Sequence, residues 1–284
     1  ITSLTPDQFP RRLREITDPP EKLYIEGVLP PEEHKWLCVV GSRKYTNYGR
    51  EVCEKLIDGL RGYSVVIVSG LALGIDALAH RAALKALLPC VAVPGSGLAR
   101  EVLYPSTNRR LADEILKTGG ALLSEFEPDF AATAWSFPQR NRIMAGLSDA
   151  VLVIEAEQKS GTLITSKLAT EYNRDVFTVP GSIFSASSSG PHMLLRLGAT
   201  PITSPSELLQ ALGFDQTSNS KSETKNYTDC SPEELRVIEL LKEPLVRDEL
   251  IEELALPTSR ANALLSLLEL KGHIKESLGE IHLA

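Results

Sequence analysis

The run Phe137-Pro138-Gln139-Arg140-Asn141-Arg142 concentrates side chains suited to a polyanion. An arginine guanidinium is a planar fork of donors that matches phosphate oxygens. Phe137, three residues before Arg140, offers a face on which a base can stack. Together they suit a single strand of nucleic acid better than a small apolar metabolite. The same six residues also fit a surface helix carrying two solvated arginines. The run continues through Ile143 to Ala150 and then into Val151-Leu152-Val153-Ile154. The arginines therefore sit on a helix that leads to the mouth of a strand.

Along the chain, apolar runs alternate with stretches of helical spacing. The runs are 36–40, 64–68, 90–94, 120–124, 150–154 and 175–179, and the helical stretches include 47–61, 74–87, 106–117 and 162–173. Short continuous apolar runs between helices predict a parallel sheet covered on both faces, hence a doubly wound α/β fold. In such a sheet the strands end on one edge, and ligands bind in the crevice there. The loops after the strands are rich in small residues: Gly41-Ser42-Arg43-Lys44, Ser69-Gly70, Gly95-Ser96-Gly97, Ser124-Glu125, Glu155 to Gly161, and Gly181-Ser182. Glycine and serine let backbone N–H groups approach an anion, and several of these loops open into helices whose N-termini favour phosphate. Asn108-Arg109-Arg110 and Ser160-Gly161-Thr162 add donors, although Ser160 and Thr162 also read as helix caps. Asp76 reads as a cap of the helix after Ser69–Gly74 rather than as a catalytic acid.

Composition limits the alternatives. The chain has 284 residues, 43% of them hydrophobic, and a net charge of −7. Its overall field repels phosphate, so any nucleic-acid site must be a local basic patch. The four cysteines, at 38, 53, 90 and 230, form no C-x-x-C pair and suggest no disulfide framework. No apolar run is long enough to span a bilayer, and no signal-peptide pattern opens the chain. A cytoplasmic location without membrane contact is the expectation. The chain opens at Ile1 rather than Met, which leaves room for a missing N-terminal piece. No His/Cys cluster, P-loop, G-x-G-x-x-G fingerprint or G-x-S-x-G elbow is present. Neither a metal nor a cofactor is expected, and no convincing nucleophile–base pair stands out.

Four segments emerge: an N-terminal extension (1–33), the sheet domain (34–213), a polar linker (214–230) and a compact C-terminal module (231–284). Within the module, Ser231-Pro232-Glu233-Glu234 is a helix start, helices follow near 232–242, 246–254 and 258–271, and a hairpin is centred on Leu278-Gly279. That pattern suggests a winged helix. The module holds six Lys/Arg against eleven Asp/Glu, and the candidate recognition helix carries only Arg260 and Lys271. Contact with protein, or with the other domain, fits it better than duplex reading.

Taken in order, Val40–Arg43, Ser69–Asp76, Gly95–Gly97 with Tyr104-Pro105 and Asn108, Ser124-Glu125, Phe137–Ser148, Glu155-Ala156 with Ser160–Leu163, and Val179–Gly181 resemble the DNA-processing protein A family (DprA, also called Smf). S-G-x-A-x-G-I-D and F-P-x-R-N-R-I are its most specific stretches here, and the resemblance spans about residues 20–213. It implies a Rossmann-like domain that binds single-stranded DNA without sequence preference. It also implies protection of incoming strands in natural transformation, loading of the RecA recombinase, a homodimer through the Rossmann-like domain, and no turnover chemistry. Carried over residue by residue, it assigns Arg43, Arg140, Asn141 and Arg142 to phosphate or base contacts. Gly41, Ser42, Ser69, Gly70, Gly95 and Gly97 would give close backbone approach. Phe137 is the stacking candidate, or a core residue, and Asn108, Arg109, Ser160, Gly161 and Lys167 complete the expected site. Two features depart from the family. Ala99 replaces an acid and the loop to Tyr104-Pro105 is long, and either the chain lacks room for the helical N-terminal domain of some members or that domain has been cut away. A nucleotide hydrolase reading rests on Pro94-Gly95-Ser96-Gly97 but breaks at Leu98, and a ligand-sensing transcription regulator is disfavoured by the acidic module.

Overall fold

Every residue of the strand-like run 36–40 is buried, and so is every residue of 64–68 beyond the exposed Ser64, which requires layers of structure on both faces. The structure is a computed structural model and describes residues 1–214, 230–241, 243–277 and 279–283. In chain order its elements are β1 (Thr2–Leu4), α1 (Arg11–Arg14), β2 (Leu23–Gly27), β3 (Lys35–Val40), α2 (Asn47–Asp58), β4 (Val65–Ser69), α3 (Ile75–Lys85) and β5 (Cys90–Ala92). Then come α4 (Arg109–Lys117), β6 (Ala121–Ser124), α5 (Ser136–Leu147), β7 (Ala150–Val153), α6 (Thr162–Glu171), β8 (Asp175–Thr178), α7 (Ser189–Arg196), β9 (Thr200–Pro201) and α8 (Pro205–Ala211). The sheet order is β1-β2-β6-β5-β4-β3-β7-β8-β9. From β6 to β9 all neighbours run parallel. From β3 the chain steps outward through β4, β5 and β6, then returns to the other side of β3 for β7, β8 and β9. The reversal falls between β3 and β7.

Strand periodicity sorts side chains between two cores. Leu37 and Val39 of β3 join Val65 and Ile67 of β4 beneath α2, α3, α4 and α8. Trp36, Cys38 and Val40 join Val66 and Val68 on the opposite face, against α1, α5, α6 and α7. Gly74 precedes α3 with φ of +85°, a conformation open to glycine, and a side chain there would strike the backbone of Ser42 and Arg43. The loops after β3 and β4 are thereby pressed together at the sheet edge.

The expected N-terminal extension, residues 1–33, contributes two strands, β1 and β2, to the sheet. β2 pairs antiparallel with β6 and β1 with β2. The Arg12 guanidinium donates to Asp149 at 2.8 Å, and the second oxygen of that carboxylate accepts the Trp36 N–H at 2.8 Å. Phe214, expected to open the linker, packs edge-on against Tyr63 with centroids 5.2 Å apart. Residues 215–229 of that expected linker lie outside the described residues.

The chain divides into two compact units, Ile1–Ser218 and Asn219–Ala284. In the second, α9 (Pro232–Leu240), α10 (Arg247–Leu254) and α11 (Thr258–Leu270) pack on a sheet of order β10-β12-β11, built from β10 (Leu245–Val246), β11 (Ile274–Ser277) and β12 (Glu280–Leu283). Ser231 and Glu234 form a reciprocal capping box at α9. This is a winged helix. β11 and β12 pair antiparallel, as a hairpin requires, and Leu278 lies outside the described residues. Both basic residues singled out near α11 are engaged within the unit: Arg260 pairs with Glu233 and Lys271 with Glu234, each at 2.7 Å. Among the described residues no helix is long and apolar enough to cross a membrane, and no His/Cys/Asp/Glu cluster could hold a metal.

Asp149→Ala strips Arg12 and the buried Trp36 N–H of their shared partner. Leaving a buried donor unpaired costs about 1–3 kcal/mol. The urea midpoint, followed by tryptophan emission, is expected to fall with an unchanged denaturant slope. An unshifted midpoint would mean that the N-terminal segment is not anchored in this way.

Candidate nucleic-acid interface

At the reversal point the loops after β3 and β7 diverge, as they do at the ligand crevices of doubly wound sheets. The crevice has a volume of about 650 Å³. Gly41, Ser42, Arg43 and Lys44 form one wall, and Glu157, Lys159, Ser160, Gly161 and Thr162 another. Helix α5 supplies the base of the crevice with Phe137, Arg140, Asn141 and Met144, and Asp76 of α3 joins them. Four cationic side chains thus face two acidic ones, a local excess of positive charge on an acidic chain.

Arg43 is exposed, and its guanidinium carbon stands 5.2 Å from the centre of the Phe137 ring, within cation–π range. The rim is held from within. Ser42 Oγ accepts the Lys44 N–H at 3.0 Å and donates to Lys44 O at 2.7 Å. Thr162 Oγ1 donates to Gly41 O at 3.1 Å, tying the two walls. Glu155 accepts the N–H and hydroxyl of Thr46 and the hydroxyl of Ser187. That carboxylate locks the end of β7 to the start of α2.

Arg140 is buried, and its Nη1 donates to Val93 O just beyond β5. Asp76 lies beside it and accepts the Gly70 N–H at 3.1 Å. A side chain at Gly70 would collide with both the Arg140 guanidinium and the Asp76 carboxylate. Burial raises the Asp76 carboxyl above its ordinary range, against the pull of Arg140, and lowers the Arg140 guanidinium below its own. Asp76 is therefore a clamp on the loop after β4, not the cap of α3. His80, deeper in α3, has its pKa lowered by burial to about 4 and is neutral at pH 7.

The crevice gathers Gly41, Ser42, Arg43, Phe137, Arg140, Asn141, Ser160 and Gly161, and excludes the other expected residues. Arg142 follows Arg140 by two positions, about 200° around a helix, so the two cannot face the same side. Arg142 instead pairs with Glu125 and donates to Asp18 O at 2.5 Å. Lys167 pairs with Glu171 at 3.7 Å and lines an adjoining recess beside α7 that shares Lys159, Ser160 and Gly161 with the crevice. Ser69 Oγ is spent on Val39 O at 2.7 Å. The close approaches at Gly95 and Gly97 are to the chain itself, to the Phe137 ring and to the backbone of Glu127 and Pro128. Gly70 meets the small recess that adjoins the crevice. At the start of α6 the N–H groups of Thr162, Leu163 and Ile164 are bonded to Ser160 and Gly161. An anion there meets the helix dipole but none of those three donors. Lys44 and Lys159 belong to the site although the motif comparison omits them; their signal is position, since each follows a strand that flanks the reversal.

Arg109 and Asn108 act on the rim. Arg109 donates to Leu103 O at 3.2 Å and Glu101 O at 2.5 Å, holding the long loop before Tyr104. Buried Asn108 donates to Leu71 O at 2.8 Å and Ala72 O at 3.2 Å. Leu71 has φ of +55°, a left-handed conformation that costs a β-carbon residue about 1–3 kcal/mol and needs such support. Asn108→Ala is expected to destabilise the first unit by about 1–3 kcal/mol, lowering its melting temperature by about 2–4 °C per kcal/mol in calorimetry. An unchanged melting temperature would remove Asn108 from this role.

Residues 1–213 match the family model for DNA recombination-mediator protein A, and residues 221–279 that for the DprA winged helix domain. Protein Smf of Escherichia coli is 44% identical over 206 residues, covering 72% of this chain and 54% of that protein. The chain therefore spans about half the length of that relative. DNA processing protein DprA of Streptococcus pneumoniae is 43% identical over 212 residues, covering 75% of this chain and 74% of that one. The X-ray structure of the pneumococcal protein has a TM-score of 0.70 at 42% identity, over 75% of this chain and 74% of that one. The structure of DNA processing protein A from Helicobacter pylori, reported for its single-stranded DNA binding mode, has a TM-score of 0.65 at 30% identity, over 74% and 94%. The ordered loop motifs, the fold and both domain matches agree, and the chain belongs to the DNA recombination-mediator protein A family.

Proposed function

We propose that this chain binds single-stranded DNA, without sequence preference, in the crevice between β3 and β7. In this reading it protects incoming strands in natural transformation and delivers them to the RecA recombinase, as a homodimer through the sheet-bearing unit and without turnover chemistry. The observation that carries the DNA-binding reading is Arg43 poised over the Phe137 ring at a crevice with four cations and two acids. Every nucleotide has a π-face and a phosphate, so ring and guanidinium together bind without reading sequence. The single-stranded DNA binding mode reported for the Helicobacter pylori protein supports the same ligand class. Arg43, Lys44 and Lys159 take phosphates, Phe137 takes a base, and Gly41, Ser42, Ser160 and Gly161 form the backbone surface. Arg140 and Asn141 build the base beneath the strand. The pairing of Arg260 and Lys271 within the winged helix supports a protein-facing role for that unit.

The test is anisotropy of labelled single-stranded and duplex oligonucleotides across a salt series. Single strands are expected to bind more tightly, with affinity falling as salt rises. Each phosphate contact contributes about 0.7 to the log–log slope, so Arg43→Glu with Lys159→Glu should flatten it by about 1.4 and weaken binding severely. Arg142→Ala should lower thermal stability while leaving affinity near wild type. Unaltered affinity in the double reversal would show that the crevice is not the site. Charge reversal at Arg140 is unsuitable, because a carboxylate buried beside Asp76 would unfold the site rather than probe it.

A further inference from the structure

The two acids that line the crevice differ in depth. Glu157 is exposed, whereas Asp76 is only 6% exposed, beside the equally buried Arg140. A phosphate that enters the crevice therefore shares it with a carboxylate that water barely screens. The charged and titratable groups that face Asp76 are few. α5 brings the Arg140 guanidinium, and the loop after β3 brings Arg43. β3 and α2 bring the thiols of Cys38 and Cys53, both pushed up by burial, Cys53 to about 12, so neither is charged at pH 7. β4 brings no titratable side chain, and His80, one turn further along α3, is neutral. Two cations thus hold the charge on Asp76 against burial, which pushes its carboxyl up.

A bound strand weakens that hold in three ways. Its phosphate neutralises Arg43, it adds a like charge to the crevice, and its sugar and base displace water there. Each of these favours the neutral acid. Protonation leaves the clamp on the loop after β4 in place, because a carboxylic acid keeps an acceptor oxygen for the Gly70 N–H. We propose that the crevice takes up a proton on Asp76 with each bound strand, so that single-stranded DNA binds more tightly as the pH falls. This rests on the reading of the crevice as a single-stranded DNA site. The complex holds more protons than the free protein, so acidification tightens binding by at most about tenfold per pH unit. The gain is confined to the window between the free-state and bound-state pKa of Asp76, and is lost as the pH rises through the bound-state value.

The test is calorimetric titration with oligothymidylate, whose bases do not titrate near neutrality, at fixed salt and at several pH values from about 5.5 to 8.5. At each pH two buffers of different protonation enthalpy are compared, and the difference in heat counts the protons exchanged. The wild type is expected to take up a proton within this range and to bind more tightly on its acid side. Asp76→Asn keeps an acceptor for the Gly70 N–H but cannot take the proton; it should bind with no buffer dependence, at the affinity that the wild type reaches in acid. Glu157→Gln, which alters the exposed acid, should keep the uptake. Binding by the wild type with equal heats in both buffers at every pH would overturn this inference and leave the crevice reading intact. So would uptake that survives Asp76→Asn or vanishes in Glu157→Gln. Should Asp76→Asn not fold, the wild-type heats and the Glu157→Gln control still decide. No binding of any oligonucleotide by the wild type would overturn both readings.

Discussion

A guanidinium removed from water must find partners, and Arg140 finds them at the ends of the central strands. Its bond to Val93 O fixes the chain as it leaves β5, and Asp76 beside it holds Gly70 as the chain leaves β4. Because Arg140 belongs to α5, that helix is tied to two strand ends on the far side of β3. Phe137 lies one turn earlier on the same helix, so its ring is placed where Arg43 reaches it. The positions of the exposed groups at the crevice thus follow from a buried one. Desolvation shifts Arg140 and Asp76 in the directions that disfavour charge, and each charge offsets the cost of the other. An arginine that looks in the sequence like a ligand contact is chiefly a brace.

The charge of the chain loses its force as an objection once it is divided. Residues 1–214 carry 22 Lys/Arg and 23 Asp/Glu, while residues 231–284 carry six and eleven. Most of the acidic excess therefore belongs to the winged helix and not to the sheet-bearing unit. Within the sheet-bearing unit, Arg142, Arg12, Arg61 and Arg100 are neutralised by carboxylates away from the crevice. The cations left at the crevice act over a Debye length of about 8 Å at physiological salt, which makes the local balance decisive for a bound phosphate.

The core strands were legible because a fully buried strand must be apolar at every position, and runs such as Val65-Val66-Ile67-Val68 are. β1 and β9 were not, since three and two residues carry no periodicity and exist only through their partners. β2 is obscured by its polar end, half-buried Glu26 and exposed Gly27, so residues 1–33 read as an appendage. At the site, the loops at the reversal were legible from strand order alone. The error lay in treating neighbours in sequence as neighbours in space: Arg140 and Arg142 share a motif but occupy opposite sides of α5. The glycines misled for a related reason. A small residue announces that something comes close without saying what, and at Gly95 and Gly97 it is the chain itself.

That self-contact bears on how the crevice works. Loops that held their glycines open for a ligand would be loose in its absence. Here Thr162 binds Gly41 O, Glu155 binds Thr46, Asn108 binds Leu71 O and Ser96 binds the Tyr104 N–H, so each rim segment is fastened to a strand end or to its neighbour. A flexible single strand loses much of its own conformational freedom on binding, and a protein that also had to order its loops would add to that loss. Fastening the rim removes the protein's share. Of the loop N–H groups that the sequence offers to phosphate, those of Lys44, Gly70, Gly97 and Thr162 are already bonded within the protein, which moves the weight of binding toward side-chain charge and ring surface. On the proposed reading, rigidity and binding without base preference share one origin: a crevice that uses several of its loop N–H groups on its own architecture leaves mainly charged side chains and a ring, groups that attract any nucleotide.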